Sequence, residues 1–207
     1  MLCWTSIVSA QNLAPNPSFE ELSTCPSFFG AGGQLVAIPW VNGFATTADV
    51  FNTCATNPIV GVPSNALGWQ QPNTGQGYVG AILKDASNIW REYPQAPLVS
   101  PMIADQLYYI GMHVNLANYT CSVKNIGMYV SQDPPTWTLP DGIVANPQAY
   151  NENGFVTDTL NWTVIESYYV AQGGENTVTL GNFHTDASTA FGPGWLRLAG
   201  WAAGRAS

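Results

Sequence analysis

Short runs of β-branched and aromatic residues recur along the chain between clusters of Pro, Gly and Asn, and hardly any window carries apolar residues at helical spacing. Apolar and polar positions alternate most clearly over 107–115 and 176–183, where every second side chain can face a core. The pattern predicts an all-β protein in which these two segments are central strands. The predicted strands are Gly33–Ile38, Gly77–Leu83, Trp90–Gln95, Gln106–Asn115, Val123–Ser131, Trp162–Val170 and Glu175–Phe183.

The spacing of these strands fits one domain over 12–191, built as an antiparallel β-sandwich of two packed sheets. A chain of 207 residues is long enough to bury one such core. Four prolines fall in Gln132–Leu160, which we interpret as an irregular excursion within the domain.

The last segment, 192–207, changes abruptly to Gly, Ala, Trp and Arg. Our preferred interpretation is an atypical tail that arose by a frameshift, a truncated read or a foreign sequence, in which case the fold lacks its closing strand. The alternative is an ordinary C-terminal strand over Trp195–Trp201.

The first eleven residues, Met1–Gln11, have the apolar stretch and the Val-Ser-Ala pattern of the end of a secretory signal peptide, with cleavage after Ala10. No Lys or Arg precedes the apolar stretch, so the signal is truncated, or the segment is simply an irregular N-terminus. No later segment has the ~18 uncharged apolar residues of a membrane span, so none is expected.

Charged residues make up only 9% of the chain and the formal net charge is −8, so the surface depends on uncharged polar groups. Such a surface suits a secreted protein. The negative charge repels phosphate backbones and anionic lipids, which argues against nucleic acid as a partner.

Export permits a disulfide among the cysteines that follow the signal. Cys25 and Cys54 both lie in polar loops, where two thiols can meet without disturbing a strand, and closing this loop would contribute about 3 kcal/mol. Cys121 lies in a strand-like run and is expected to be a buried free thiol. The alternative is that all three are reduced.

The opening residues 12–20, with Asn12, Asn16, Phe19 and Glu20, resemble the Asn-x-x-x-Asn-x-x-Phe-Glu start of galactose-binding-like jelly rolls, a group that includes several families of carbohydrate-binding module. Further segments over 12–186 are similar, in the same order, to the N-terminal domain of surface proteins that gliding bacteria export by the type IX secretion route. These segments are 51–54, 60–63, 75–80, 90–93, 125–129 and 160–163.

The resemblance implies a jelly-roll fold, export to the outside of the bacterial outer membrane, and other domains in a larger surface protein, such as OmpA-like or gliding-motility-associated domains. The usual ending of that family, an aromatic strand leading into an Asp-Asp-Val type sequence, is absent after Phe191.

Galactose-binding-like modules commonly hold a structural calcium ion beside the first strand. The resemblance assigns the carboxylate of Glu20 to this ion, together with backbone carbonyls and a second acid, which could be Asp186 or Asp49. Calcium takes six to eight oxygen ligands, so one Glu is not enough. The alternative is that Glu20 only accepts hydrogen bonds from backbone amides at a sheet edge.

Sugar rings stack their C–H faces on aromatic side chains, while their hydroxyls bond amides and carboxylates. Two polar, turn-forming contexts carry a tryptophan of this kind, Trp40 before Asn42 and Gly43, and Trp69 before Gln70 and Gln71. The expected ligand-binding residues are Trp40, Trp69, Gln71, Asn73 and, more weakly, Trp137. The alternative for each tryptophan is that it fills the core.

Catalysis has little support in the sequence. A serine nucleophile needs a nearby His, yet no G-x-S-x-G elbow exists; the only two histidines, His113 and His184, are interpreted as structural and as part of a surface loop. A glycosidase needs two carboxyl groups flanking the sugar. The available acids include Asp85, Glu92, Glu166 and Glu175, and Glu92 is more simply a partner of Arg91.

We therefore expect a non-catalytic extracellular module that binds a polysaccharide or a cell-surface glycan. The alternatives are a structural or adhesive spacer domain without a small-molecule ligand and, further from the pattern, a glycoside-active enzyme. Exposure of Trp40 or Trp69 in a concave patch would favour the binding module, whereas burial of both would favour the spacer.

Overall fold

A computed structural model describes residues 11–30, 35–44, 46–84, 90–118, 120–122, 124–137, 141–152, 154–189 and 194–205. The signal-peptide prediction falls on residues 1–10 and therefore lies outside the described residues, apart from Gln11. In the part of the chain that is described, no helix is long and apolar enough to cross a membrane.

Twelve strands and one short 3-10 turn, Pro58–Val60, make up the regular structure of the described residues. The strands are β1 Val41–Asn42, β2 Asp49–Asn52, β3 Ser64–Asn65, β4 Gly68–Trp69, β5 Gly77–Lys84, β6 Pro94–Pro97, β7 Leu107–Leu116, β8 Ile126–Ser131, β9 Ala149–Tyr150, β10 Thr163–Val170, β11 Thr177–Asn182 and β12 Gly194–Arg205.

Two five-stranded antiparallel sheets contain ten of these strands. The first sheet has the order β1-β6-β11-β8-β9 and the second has the order β10-β7-β12-β5-β2, while β3 and β4 form a separate hairpin. The predicted fold class is confirmed: the protein is an all-β, two-sheet sandwich of the jelly-roll kind, and β7 and β11 are central strands.

The main core lies between the two sheets. Its inward-facing side chains include Met128 and Val178 of the first sheet and Ile110 and Met112 of the second, all at most 2% exposed. Alternation along each strand places these residues on one face, as the sequence pattern predicted. β11 is nevertheless buried on both faces, because the outer face of the first sheet is also covered.

That outer cover comes from the excursion after β8. Ile143 packs with Tyr93 and Phe183 in a second apolar cluster, against which Tyr129, Trp137 and Ala145 pack. The hydroxyl of Tyr93 accepts a hydrogen bond from the N–H of Ile143 at 3.1 Å, which ties the excursion to the sheet. Between 132 and 160, β9 is the only strand among the described residues, in agreement with the predicted irregular segment.

Two strand predictions were wrong in position. In the described part of Gly33–Ile38, Ala37 forms only a single bridge with Leu22. The segment that begins at Trp90 becomes a strand only at Pro94, because the N–H of Glu92 bonds to the carbonyl of Ile82 in the other sheet before the chain crosses over.

The last segment forms β12, the middle strand of the second sheet, paired with β5 on one side and β7 on the other. The backbone of 194–205 therefore matches the alternative of an ordinary C-terminal strand, which begins one residue earlier and ends four residues later than Trp195–Trp201. The sheet does not lack a closing strand. The unusual composition of the last segment made it difficult to recognise as a strand, although both neighbouring strands pair with it.

Candidate functional site

Trp40 is buried, which matches the alternative stated for it, that the indole fills the core. Its side chain is 2% exposed, its ring centroid lies 4.9 Å from that of Phe19, and its Nε1–H donates to the carbonyl oxygen of Pro15 at 3.2 Å. The turn signal after Trp40 was correct, but the indole points back into the core beneath the first residues of the domain.

Trp137 is also part of a packed cluster rather than a free surface. Its ring makes edge contacts with Tyr93 at 5.6 Å and Phe44 at 5.7 Å between centroids. Its Nε1 atom is buried and has no hydrogen-bond partner. The indole thus covers part of the outer face of the first sheet and is only partly exposed.

Trp69 is exposed, as the sequence context suggested. Its side chain is 49% exposed at the end of β4, and its backbone N–H donates to Oδ1 of Asn118 at 2.8 Å. Gln71 lies beside it, and its carbonyl oxygen accepts from Nε1 of Trp162 at 3.1 Å. Asn73 is partly buried in the same loop. The structure therefore brings together Trp69, Gln71 and Asn73 but places Trp40 and Trp137 elsewhere.

Glu20 and Asp186 do not form one cation site. Oε1 of Glu20 accepts from the backbone N–H groups of Gln76 at 2.9 Å and Gly77 at 3.1 Å, at the start of β5. Asp186 forms an ion pair at 3.9 Å with Lys84, at the other end of that strand. The eight residues of β5 span roughly 23 Å, so the two acids cannot share an ion.

Glu20 follows the alternative stated for it, an acceptor for backbone amides. Asp49, the other acid considered, accepts from the N–H of Gly30 at 3.1 Å, and burial raises its pKa to about 7. Among the described residues, no group of three or more His, Cys, Asp or Glu side chains is arranged to hold a metal ion. Calcium binding stays a prediction that would need other ligands.

Cys25 and Cys54 form the expected disulfide, with their Cα atoms 5.6 Å apart. Cys121 is a free thiol, but it is exposed, so the prediction that it is buried was wrong. The reason is that β8 begins only at Ile126, which leaves Cys121 in the connection between β7 and β8.

The three described acids among those considered for catalysis each bond to different partners, and the predicted pairing of Arg91 with Glu92 was wrong. Arg91 is paired with Asp186 instead. Glu92 is fully buried and accepts from Thr47 and from the N–H of Ile82, while burial raises its pKa. Glu166 accepts from the hydroxyl of Tyr109 on the outer face of the second sheet. Asp85 lies outside the described residues.

The two histidines lie on different sheets of the sandwich, His113 on β7 and His184 shortly after β11. His184 is held between Tyr150, whose ring centroid is 5.9 Å away, and Arg91, which donates to its carbonyl oxygen at 2.7 Å. Burial and the positive charge of Arg91 lower the pKa of His184, which favours the neutral imidazole. His113 lies on β7 opposite Val164 of β10.

A groove of about 630 Å³ lies along the edge of β8. It exists because β9 pairs only with Gly127 and Met128, which leaves the rest of β8 without a neighbouring strand on that side. There the side chain of Gln148 takes the place of a strand: its Oε1 accepts from the N–H of Val130 at 2.8 Å and its Nε2 donates to the carbonyl of Val130 at 3.1 Å. The groove is lined by Tyr129, Val130, Ser131, Gln132, Asp133, Val144, Ala145, Asn146, Gln148, Tyr169, Gln172 and Glu175.

Glu175 fixes one side of this groove. Its carboxylate accepts from the hydroxyl of Tyr169 at 2.6 Å and from the N–H groups of Gln172 at 2.8 Å and Gly173 at 2.9 Å. Burial acts to raise the pKa of Glu175, but these hydrogen bonds outweigh it and lower that pKa. Burial and the neighbouring carboxylate raise the pKa of Tyr169 to about 12, so its hydroxyl stays protonated and donates.

The turn that carries these amides is also held in place. Gly173 has a φ of +99°, and a Cβ there would lie 2.8 Å from Cβ of Ala104, so only glycine fits. Nε2 of Gln132 donates to its carbonyl at 2.9 Å across the groove. Both walls are thus connected by hydrogen bonds before any ligand arrives.

A second set of polar groups points into the groove without an intramolecular partner. Within the described structure, no hydrogen bond is made by the hydroxyl of Tyr129, the carboxylate of Asp133 or the amide of Asn146, and the latter two residues are exposed. Tyr129 is held by its ring, which packs on Phe183 at 5.5 Å between centroids. The groove therefore offers one aromatic ring edge, one carboxylate and one amide to a polar ligand.

Sequence reasoning missed this groove. Its walls come from four separate segments, near 130, 146, 169 and 173, and no local pattern links them. The one available signal was the polar and aromatic content of the irregular excursion, since a long loop within a compact domain is commonly functional. Only tryptophans were predicted to stack on a sugar, so Tyr129 and Tyr169 were not among the predicted residues.

No family model and no curated protein matches this chain. Among solved structures, the chain is similar to TmCBM61 in complex with β-1,4-galactotriose, with a TM-score of 0.51 and 15% identity over 95% of this chain and 99% of that one. At this identity the similarity shows a shared fold.

Two further structures align along nearly the whole chain. One is the CBM22-1 xylan-binding domain of Xyn10C from Paenibacillus barcinonensis, with a TM-score of 0.47 and 12% identity over 97% of each chain. The other is the K3 cleaved adhesin domain of Lys-gingipain from Porphyromonas gingivalis W83, with a TM-score of 0.47 and 14% identity over 95% of this chain and 99% of that chain.

Proposed function

We propose that this chain is a non-catalytic recognition module that binds a polysaccharide in the groove along β8. The observation that carries the proposal is the groove itself, in which unpartnered groups of Tyr129, Asp133 and Asn146 face solvent beside a wall organised by Glu175. Its volume of about 630 Å³ falls within the range of small-ligand sites, and it has room for one or a few sugar rings.

The chemistry of the groove suits sugars. Hydroxyl groups both donate and accept, so they match a site that offers a carboxylate, an amide and a phenol together. The ring of Tyr129 supplies apolar area for the C–H face of a sugar, while its hydroxyl makes no hydrogen bond within the described structure. Since the turn at Gly173 is already fixed, little ordering is required when a ligand binds.

The fold supports the same proposal. A structure with this fold has been solved with β-1,4-galactotriose bound. The scattered carboxyl groups favour binding over catalysis, since a glycosidase needs two of them facing one bond. Glu92, Glu166 and Glu175 are each engaged by a different partner.

The location and context of the module belong to the proposal as well. The Cys25–Cys54 disulfide fits an oxidising compartment outside the cytoplasm. We place the module on the exterior of a bacterial outer membrane, as one domain of a larger type IX-secreted surface protein, on the resemblance of 12–186 alone. A structural calcium ion remains part of this proposal, to be tested with a chelator.

A spacer function is the second candidate, and the burial of Trp40 favours it. The contact between the rings of Trp137 and Phe44 also favours the spacer function. A spacer requires neither an organised groove nor the exposed ring of Trp69. The two functions therefore differ in whether the groove binds sugar.

The test is a titration of the full chain with neutral polysaccharides, followed by tryptophan fluorescence and by isothermal titration calorimetry, with calcium and then with chelator. Tyr129→Ala and Asn146→Ala should abolish a saturable signal, and Trp69→Ala separates binding at the groove from binding at the β3–β4 hairpin. If no glycan binds while the far-ultraviolet spectrum remains that of a folded β protein, the spacer function replaces the proposal. Binding lost in Trp69→Ala but kept in Tyr129→Ala would move the site to the hairpin.

A further inference from the structure

If the groove binds glycans, as the proposed function states, its charge determines whether neutral or acidic glycans bind. None of the described lining residues is Lys, Arg or His, whereas two of them, Asp133 and Glu175, carry carboxylates. A groove that binds uronates or sulfated sugars would need a positive side chain to replace their hydration, and Arg is the usual choice.

The basic side chains that the structure describes are engaged away from the groove. Arg91 and Lys84 both pair with Asp186, and both are buried. Nζ of Lys124 lies 4.9 Å from the ring centroid of Phe155. The chain has five basic residues in all, and the side chains of the other two, Arg197 and Arg205 of β12, lie outside the described part of the structure.

The two carboxylates of the groove have different tasks. Glu175 is 4% exposed and its oxygens are occupied by Tyr169 and by the turn amides, so it cannot rearrange for a ligand without breaking those bonds. Asp133 is exposed and its carboxylate has no partner among the described residues. An anionic ligand in the groove would therefore share it with two negative charges, of which the one on Glu175 is fixed in place.

We infer that the groove selects uncharged glycans and rejects acidic ones, with Asp133 as the specificity-determining residue. The carboxylate of Asp133 accepts hydrogen bonds from sugar hydroxyls and repels the carboxylate or sulfate of an acidic sugar. If a ligand carboxylate lies about 4 Å from that of Asp133, charge repulsion weakens binding about fivefold even in a water-like dielectric. The loss is greater where the groove excludes water. Added salt reduces this difference.

The experiment compares neutral xylan and galactan oligosaccharides with oligogalacturonate of equal length, by calorimetry at low and at 0.5 M salt. The wild-type chain should bind at least one neutral ligand and bind oligogalacturonate at least tenfold more weakly. Asp133→Asn should reduce the ratio of neutral-ligand affinity to oligogalacturonate affinity at least threefold, and Asp133→Lys should reduce this ratio further. Glu152→Gln is the matched control, because Glu152 is exposed and follows β9 near Ile126, at the far end of β8.

Different outcomes would contradict the charge selection and the recognition function. If no glycan of either class binds, the recognition function fails. If oligogalacturonate binds as tightly as the neutral ligands, or if Asp133→Lys leaves the gap unchanged, the glycan function stands and the charge selection is overturned. Tighter binding of a protonated chitosan oligosaccharide than of any neutral ligand would also overturn it, since the groove would then select cations.

Discussion

The side chain of Gln148 binds both backbone polar groups of Val130, accepting from its N–H at 2.8 Å and donating to its carbonyl at 3.1 Å. One amide side chain thus continues the ladder that β9 leaves unfinished after Met128. Because the side chain is narrower than a strand, the edge of β8 is satisfied and yet remains open as a groove.

Gln148→Ala should destabilise the fold by about 1–3 kcal/mol, because the partly buried N–H and carbonyl of Val130 would lose their partners. Urea unfolding measures the loss, and amide hydrogen exchange at Val130 should accelerate beyond the exchange of other β8 amides. Gln106→Ala is the control at an exposed position. Equal losses in both variants would show that the double hydrogen bond contributes nothing.

Tyr169→Phe removes the hydroxyl that donates to Glu175 and should weaken both stability and ligand binding at pH 7. The pKa of Glu175 is lowered in the fold, so its contribution is present above its ordinary value of 4.5 and is lost as the pH falls through the lower folded value. The difference in unfolding free energy between Tyr169→Phe and wild type should therefore shrink as the pH falls below 4.5. Thermal unfolding from pH 3 to pH 7 checks this, and a difference that is constant with pH contradicts it.

Asp49→Asn should stabilise the protein at pH 8 by up to about 4 kcal/mol. Burial raises the pKa of Asp49 from 3.8 to about 7, so its stabilising contribution is complete below pH 3.8 and is lost as the pH rises through 7. The negative charge of Glu92 acts in the same direction. Thermal unfolding at pH 4 and pH 8 should show a gain only at the higher pH, and Asp105→Asn, at an exposed position, should show none.

Thr179→Val should leave stability unchanged or raise it by about 1 kcal/mol, because the hydroxyl of Thr179 is fully buried without a hydrogen-bond partner. Thr177→Val is a matched control on the same strand, since the hydroxyl of Thr177 donates to Asn176. This variant should be less stable than wild type or equally stable. Denaturant midpoints decide between them. A clear loss in Thr179→Val would mean that an ordered water molecule satisfies this hydroxyl.

Replacing Cys25 and Cys54 by Ser should lower stability by about 3 kcal/mol, because the unfolded chain regains the freedom of a loop with a sequence separation of 29. A reducing agent should have the same effect on the wild-type protein and none on the double variant. Cys121→Ser, at an exposed free thiol, is the control and should leave the unfolding midpoint unchanged.

The fold class could be predicted because alternation along β7 and β11 records which side chains face the core. A strand over Trp195–Trp201 was only the alternative interpretation of the last segment, because its many Gly and Ala residues give little alternation of apolar and polar positions. Trp40 was misplaced for a different reason: its partners, Phe19 and Pro15, are more than twenty residues away in the sequence. The groove depends on where β9 stops, and that end is set by tertiary contacts that no local sequence signal records.

The place of β12 also sets the order in which the chain can fold. Until β12 is available, β2–β5 and β7–β10 are two separate pairs, and β5 and β7 each have an open edge. A ribosome releases the strands from the N-terminus onward, so the second sheet can close only after Arg205 has emerged. Folding is then expected to be slow, because contacts of long sequence separation must form together. During that interval the unpaired edges of β5 and β7 can associate with strands of other chains.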